Sequence, residues 1–247
     1  MCRLMGYISS SEQTLEGITG DSFAEFAALS SKHCDGWGIA SVDSHHPSVE
    51  LAVEPTQADH SASFKRLTSE QKSDGALLHL RWATSGLSVK EGNTHPFTYE
   101  KYSFIHNGGI VPAESLDPFV DPSLLALSRG ETDSEKYFYL IITEIKKHGE
   151  IKGIQSALKT ITTQLKFSSL NAMILTPTTF YIISEYNQEK RPEGEPEDYY
   201  ELFYRKDNKG VLVASSGWNQ AGWTPILNHQ LVEIDRTSFA IQIHPSI

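Results

Sequence analysis

Two helical patterns stand back to back in the middle of this chain, and strand patterns fill both sides of them. Glu131-Thr132-Asp133 introduces the first helix, which is predicted to run to about Lys147. Phe138, Ile141, Ile142 and Ile145 recur in it at helical spacing, and Thr132 or Asp133 caps its start. The second helix is predicted over 151–165. Ahead of the pair, strands are predicted over 3–8, 39–42, 49–53, 76–82 and 102–106. Helices are predicted over 21–32, with Asp21 as cap, and over 64–71. Behind the pair come strands over 172–175, 180–183, 201–205, 211–215, 230–234 and 239–243. A parallel sheet needs strand and helix to alternate, because each crossover must return the chain to the same edge. Two adjacent helices between runs of strands instead imply an α+β layered fold with antiparallel sheets. The 247 residues contain no linker or internal repeat, so they read as one domain, 1–247.

Cys2 is the residue that most limits the chemistry. An initiator Met before a residue as small as Cys is normally removed, so the working chain is expected to begin at Cys2, with no leader before it. A cysteine at a true N-terminus carries a nucleophilic sulfur and a free amine on one residue. That amine titrates near 7.7–8.0 and can serve as the base for its own thiol. The bland alternative is a small buried residue at the start of a strand.

Composition narrows the partners. The formal net charge of −10, with no Lys/Arg run, argues against nucleic acid and anionic membranes. No run reaches the roughly 18 apolar residues a spanning helix needs. The start MCRLMGYISSSEQ lacks a signal-peptide core, so a cytoplasmic location is expected, with Cys2 and Cys34 as free thiols. Neither HExxH nor CxxC occurs, and His45-His46 falls in a polar turn, so no metal is expected. The glycines at 36 and 38 do not form a dinucleotide or phosphate loop, so no cofactor is expected. The acidic stretch 189–201 reads as a solvated loop.

Four further sites supply what an N-terminal thiolate needs to cleave an amide. Asn107-Gly108, at the end of a strand, offers a side-chain amide and a backbone N–H to a developing oxyanion, although Asn-Gly is also a common turn. Arg81 sits on a strand otherwise built for burial, with His79 on its face and Leu78, Leu80 and Trp82 on the other. Its guanidinium matches a carboxylate through two parallel hydrogen bonds, and a structural ion pair is the alternative. Asp133, at a helix start, could hold an ammonium group; taken alone, it suits a helix cap better. The turn 35–38 allows close backbone approach to a small ligand or a tight bend beside Cys2. Together these groups are complementary to glutamine or a γ-glutamyl group, with Cys2 attacking the side-chain amide.

The order Met-Cys, DGWGI, HLRWATSG, NTHPF, HNGG and ETDSE resembles the class II, N-terminal-nucleophile glutamine amidotransferase domain. The resemblance implies an αββα sandwich of two antiparallel sheets between helical layers. It implies Cys2 as nucleophile, Asn107 and Gly108 as oxyanion hole, and Arg81 and Asp133 as a clamp on the glutamyl headgroup. Trp82, Thr84, Gly38 and His106 are expected to line or support the pocket, while His79 and His95 read as core or supporting residues. The Asp-Gly-Trp-Gly turn and Asn-Thr-His-Pro-Phe are similar to the small stand-alone branch. That branch includes bacterial glutamine amidotransferases, the γ-glutamyl hydrolase of ergothioneine synthesis and the amidotransferase-like subunit of glutathione breakdown.

The expected partner is therefore glutamine or a γ-glutamyl small molecule. A separate ammonia-accepting subunit, water as final acceptor, and self-association all stay open. The rival reading is a regulatory subunit that binds a glutamyl ligand without turnover. Mass spectrometry of the purified chain separates the two: the enzyme reading expects Cys2 as first residue, whereas a retained Met1 blocks the amine and favours the rival.

Overall fold

The computed structural model describes residues 2–44, 48–84 and 86–247. The predicted turn at His45-His46 and the processing of Met1 lie outside the described residues. In chain order, β1 (Arg3–Gln13) leads to α1 (Leu15–Thr19) and α2 (Phe23–Ala28). Next come β2 (Trp37–Val42), β3 (Val49–Glu54), α3 (Ala62–Glu70) and β4 (Ser73–Leu80). β5 (Phe97–Tyr99) and β6 (Tyr102–Val111) precede α4 (Pro122–Leu125), α5 (Asp133–His148) and α6 (Glu150–Gln164). Seven strands follow: β7 (Lys166–Leu175), β8 (Thr179–Ser184), β9 (Leu202–Lys206), β10 (Gly210–Ser215), β11 (Thr224–Ile226), β12 (Gln230–Asp235) and β13 (Ile241–Pro245).

The strands form two sheets, ordered β11-β9-β10-β1-β4-β2-β3 and β13-β12-β8-β7-β6-β5. Every pairing is antiparallel. Alternation along the strands sorts the apolar side chains into three cores. Leu77 of β4 joins Leu4, Ile8, Val213, Ile105, Met173 and Ile182 between the sheets. Ala76, Leu78 and Leu80 point the other way, against Leu15, Phe23, Phe26 and Phe64 of α1–α3. Phe104, Ile110, Leu170 and Ile174 of the second sheet meet Phe138, Ile141, Ile142, Ile154 and Leu158 of α5 and α6. Three cores between four layers make the α+β, αββα arrangement, and both sheets are apolar on both faces because neither faces water.

Several expectations need correction. The predicted helix 21–32 is α-helical only over 23–28, because 3-10 turns flank it at 20–22 and 29–31, and Asp21 lies in the first of these and does not cap α2. β1 runs five residues further than predicted. The last strand begins at Ile241, because Phe239 adopts φ +54 and turns the chain. The acidic stretch is not wholly solvated. Tyr199 and Tyr200 are buried in it. The Arg3 guanidinium lies 4.6 Å from the Tyr199 ring centre and donates to the Tyr199 carbonyl at 3.3 Å. The Asn171 side chain donates to the Tyr200 carbonyl, so this strap is anchored to both sheets.

Burial also sets charge. His33 and His79 are enclosed, and burial lowers each to about 3. In the unfolded chain both titrate near 6.5. The folded state therefore holds fewer protons between those values, and its stability, complete above about 6.5, is lost as pH falls toward about 3. Urea titrations across that window should show a steady loss of unfolding free energy, shallower in His79→Gln. Phe104 stacks on Phe138 at 5.1 Å and meets Tyr137 edge-on at 5.4 Å. Phe104→Ala should cost about 3–5 kcal/mol in the same assay.

Candidate active site

Antiparallel pairing of β1 with β4 places the key groups side by side. Arg3 lies opposite Leu80, so Cys2 and Arg81 leave the ladder together at one sheet edge. The Cys2 sulfur is half-buried and lies 3.7 Å from the Trp82 carbonyl. Burial pushes its thiol up, while the Trp82 contact and the Arg81 charge oppose this. Beyond the strand, the Arg81 backbone continues as a bridge: its N–H donates to Gly36 at 2.8 Å, and its carbonyl accepts from Asp35 at 3.0 Å. The Asp35 carboxylate in turn accepts the Ala83 N–H at 2.8 Å. The turn 35–38 thus holds the segment after β4 in place.

Cys2, Arg81, Trp82, Thr84, His106, Gly108 and Asp133 line one cavity. Its volume is about 30 Å³, so it is a small cavity. His95, expected as a core or supporting residue, also lines it, as does Ser134, which was not singled out in the sequence. NTHPF held the signal for His95; Ser134 was visible only as part of ETDSE.

Two expected residues do not face this cavity. Gly38 lies inside β2 opposite His79, and a Cβ there would sit 2.0 Å from the His95 carbonyl oxygen. Its glycine makes room for the 95–96 backbone, so the expectation that it contacts ligand is corrected to a packing role. Asn107 lies in β6 opposite Asn171, buried, with its Oδ1 lacking a hydrogen-bond partner and its carbonyl accepting from Ser169 Oγ at 2.9 Å. It adjoins the cavity through Gly108. At Gly108 a Cβ would fall 1.8 Å from the Ser169 carbonyl oxygen, so only glycine fits the pairing there. The β6–β7 register slips between Gly108 and Ile110, and the Ile110 N–H donates to the Asp133 carboxylate at 2.7 Å.

Thr132, not Asp133, caps α5, accepting from the Glu135 N–H at 3.2 Å. The cap reading of Asp133 is thereby corrected, and its carboxylate is left for the cavity. Burial pushes that carboxyl up, opposed mainly by nearby His106. The Arg81 guanidinium donates to the carbonyls of Ser88 at 3.2 Å and Asp35 at 3.4 Å. Among the described residues, neither Arg81 nor Asp133 has an oppositely charged side chain within 4.0 Å. Yet Arg81 is 3% exposed, and a charge so enclosed is costly without a partner.

Neutral histidines form the floor. His106 Nε2 lies 3.0 Å from the Ser169 carbonyl, which can only accept, so Nε2 carries the proton. Nδ1 then accepts from Ser134 Oγ at 2.9 Å. His79 Nε2 donates to the His106 carbonyl at 3.2 Å, and its ring stacks on His95 with centres 4.2 Å apart. Burial lowers the pKa of all three, so the rings add no positive charge beneath Arg81 at neutral pH.

Glu135 was legible only as part of the ETDSE pattern. Its buried carboxylate accepts the backbone N–H groups of Arg129 and Gly130, fixing the entry to α5. Asn93 joins that entry to the loop after β4, donating to the Ser88 carbonyl at 3.1 Å and accepting from the Glu131 N–H at 2.9 Å.

Known proteins share this fold and parts of this sequence. A solved glutamine aminotransferase class-II domain protein from Silicibacter pomeroyi superposes with a TM-score of 0.69 at 18% identity, over 99% of both chains. A probable glutamine amidotransferase, DUG3, of Saccharomyces cerevisiae is 32% identical over 126 residues, 47% of this chain and 34% of that one. The γ-glutamyl-hercynylcysteine sulfoxide hydrolase of Mycobacterium tuberculosis is 27% identical over 139 residues, 51% of this chain and 59% of that one. The chain thus spans less than two-thirds of the length of either curated relative. The family model of the class-II glutamine amidotransferases matches residues 1–175. This chain belongs to the class-II glutamine amidotransferases.

Proposed function

We propose that the chain, acting as one domain over 1–247, hydrolyses the γ-glutamyl amide of glutamine or of a γ-glutamyl conjugate. The observation that carries this reading is the pair of unneutralised charges beside the thiol. Arg81 and Asp133 face the same small cavity as Cys2, and among the described residues neither meets an opposite charge. A free amino-acid head, with carboxylate and ammonium, supplies both missing partners at once. Its side-chain amide then extends toward Cys2 and Gly108.

The chemistry follows from the atoms available. With Met1 removed, the Cys2 amine takes the thiol proton, and the sulfur attacks the amide carbon. The carbon–sulfur bond forms, and the Gly108 N–H meets the oxyanion, joined by the Asn107 amide once that side chain turns from its buried position toward the cavity. The carbon–nitrogen bond breaks, the amine leaves with the proton, and water cleaves the thioester to glutamate and free thiol. Neutral His106 and His79 support this polarity, because they do not compete with Arg81 for the substrate carboxylate. The mycobacterial relative, named as a hydrolase, supports water as the final acceptor.

Purified protein should release glutamate from at least one γ-glutamyl amide, measured by coupled glutamate assay. Cys2→Ala should abolish this. Arg81→Ala should raise KM about ten- to a hundred-fold, the scale of a lost charge-assisted hydrogen bond. Undiminished turnover by Cys2→Ala ends the mechanism.

A further inference from the structure

A second cavity opens beside the first and is far larger, about 790 Å³ against about 30 Å³. The two share Trp82, Ala83, Thr84 and Gly108, so the second begins where the scissile amide would lie. If the glutamyl head occupies the Arg81–Asp133 side, the substituent on the amide nitrogen has to leave the small cavity elsewhere, and the shared wall is the open direction. Ammonia is about the size of one water and needs no such space. A volume of this kind falls in the roughly 300–1,000 Å³ range of small-molecule sites.

Its walls have a definite chemistry. Trp82, Phe167 and Val111 supply apolar surface, and Val111 is 65% exposed. At the rim stand Lys166, at the start of β7, and Lys190, on the strap ahead of Tyr199. Among the described residues neither ammonium has a carboxylate within 4.0 Å, in a chain of net charge −10. In so acidic a protein, two unpaired cations over one apolar cavity suit an anionic ligand.

We propose that this cavity receives the amine half of the substrate, and that this half is extended, apolar along its length and anionic at its far end. The inference rests on the γ-glutamyl hydrolase reading and deepens it: glutamine would be the poor substrate and a γ-glutamyl peptide-like amide the good one. Phe167 and Val111 hold the apolar body, and Lys166 and Lys190 hold the charge.

The test compares glutamine, γ-Glu-Leu-Phe and γ-Glu-Leu-Phe-amide by kcat/KM on the full chain. The peptide acid should exceed glutamine by ten-fold or more. Amidation should cost about five-fold, the scale two solvent-exposed ion pairs reach. The double variant Lys166→Ala/Lys190→Ala should erase the preference for acid over amide, and Phe167→Ala should lower the peptide-to-glutamine ratio. Equal turnover of acid and amide by the unaltered protein, or an acid preference that survives the double variant, overturns the inference. Cleavage of glutamine alone overturns it too but leaves the hydrolase reading standing. Cleavage of neither glutamine nor peptide removes both.

Discussion

The pairing of β1 with β4 is the constraint on which the site depends. Both strands lie near the middle of a sheet covered on both faces, so their register cannot slip without turning Leu77 and Leu78 to the wrong cores. That fixed register carries Cys2 and Arg81 to one edge, although they are far apart in sequence. The second sheet brings Gly108 to the same place from β6, and α5 adds Asp133. No single element makes the site; the two sheets and one helix end meet at it.

Its electrostatics follow from enclosure. Three rings that could each carry a charge are kept neutral by burial, so the positive end of the cavity belongs to Arg81 alone. The carboxyl of Asp133 is raised by the same burial and steadied by the Ile110 N–H, which the slipped register of β6 makes available. A cation and an anion are thus held apart by scaffold hydrogen bonds and do not neutralise each other. This costs folding free energy, and such costs are commonly met where a ligand completes the pairing.

Much of this was readable from residues. The two central helices and the alternation of β4 gave the layered fold, because periods of 3.6 and 2 survive in any amphipathic element. Cys2, Arg81, Gly108 and Asp133 stood out because a charge, a thiol or a glycine in an apolar setting needs a reason. Gly38 was misjudged for a physical cause: a glycine that admits a ligand and one that admits a neighbouring backbone look alike in sequence, and only the His95 carbonyl distinguishes them. Thr132 and Asp133 were both fit to cap α5, and the choice between them depends on where Ile110 lies. The shortening of the predicted helix 21–32 to 23–28 left no apolar mark, because the flanking 3-10 turns bury nothing at 20–22 and only Ser30 at 29–31. The anchoring of the acidic strap was hidden because its Tyr199 and Tyr200 contact Arg3 and Asn171, which are remote in the chain.

That strap has a mechanical meaning. Its Tyr199 grips Arg3, the residue immediately after Cys2, through the ring face and a backbone carbonyl. The same short segment carries Lys190 to the mouth of the larger cavity. The rim of the larger cavity and the packing behind Cys2 are therefore parts of one stretch of chain, nine residues apart, so a change in one is made next door to the other.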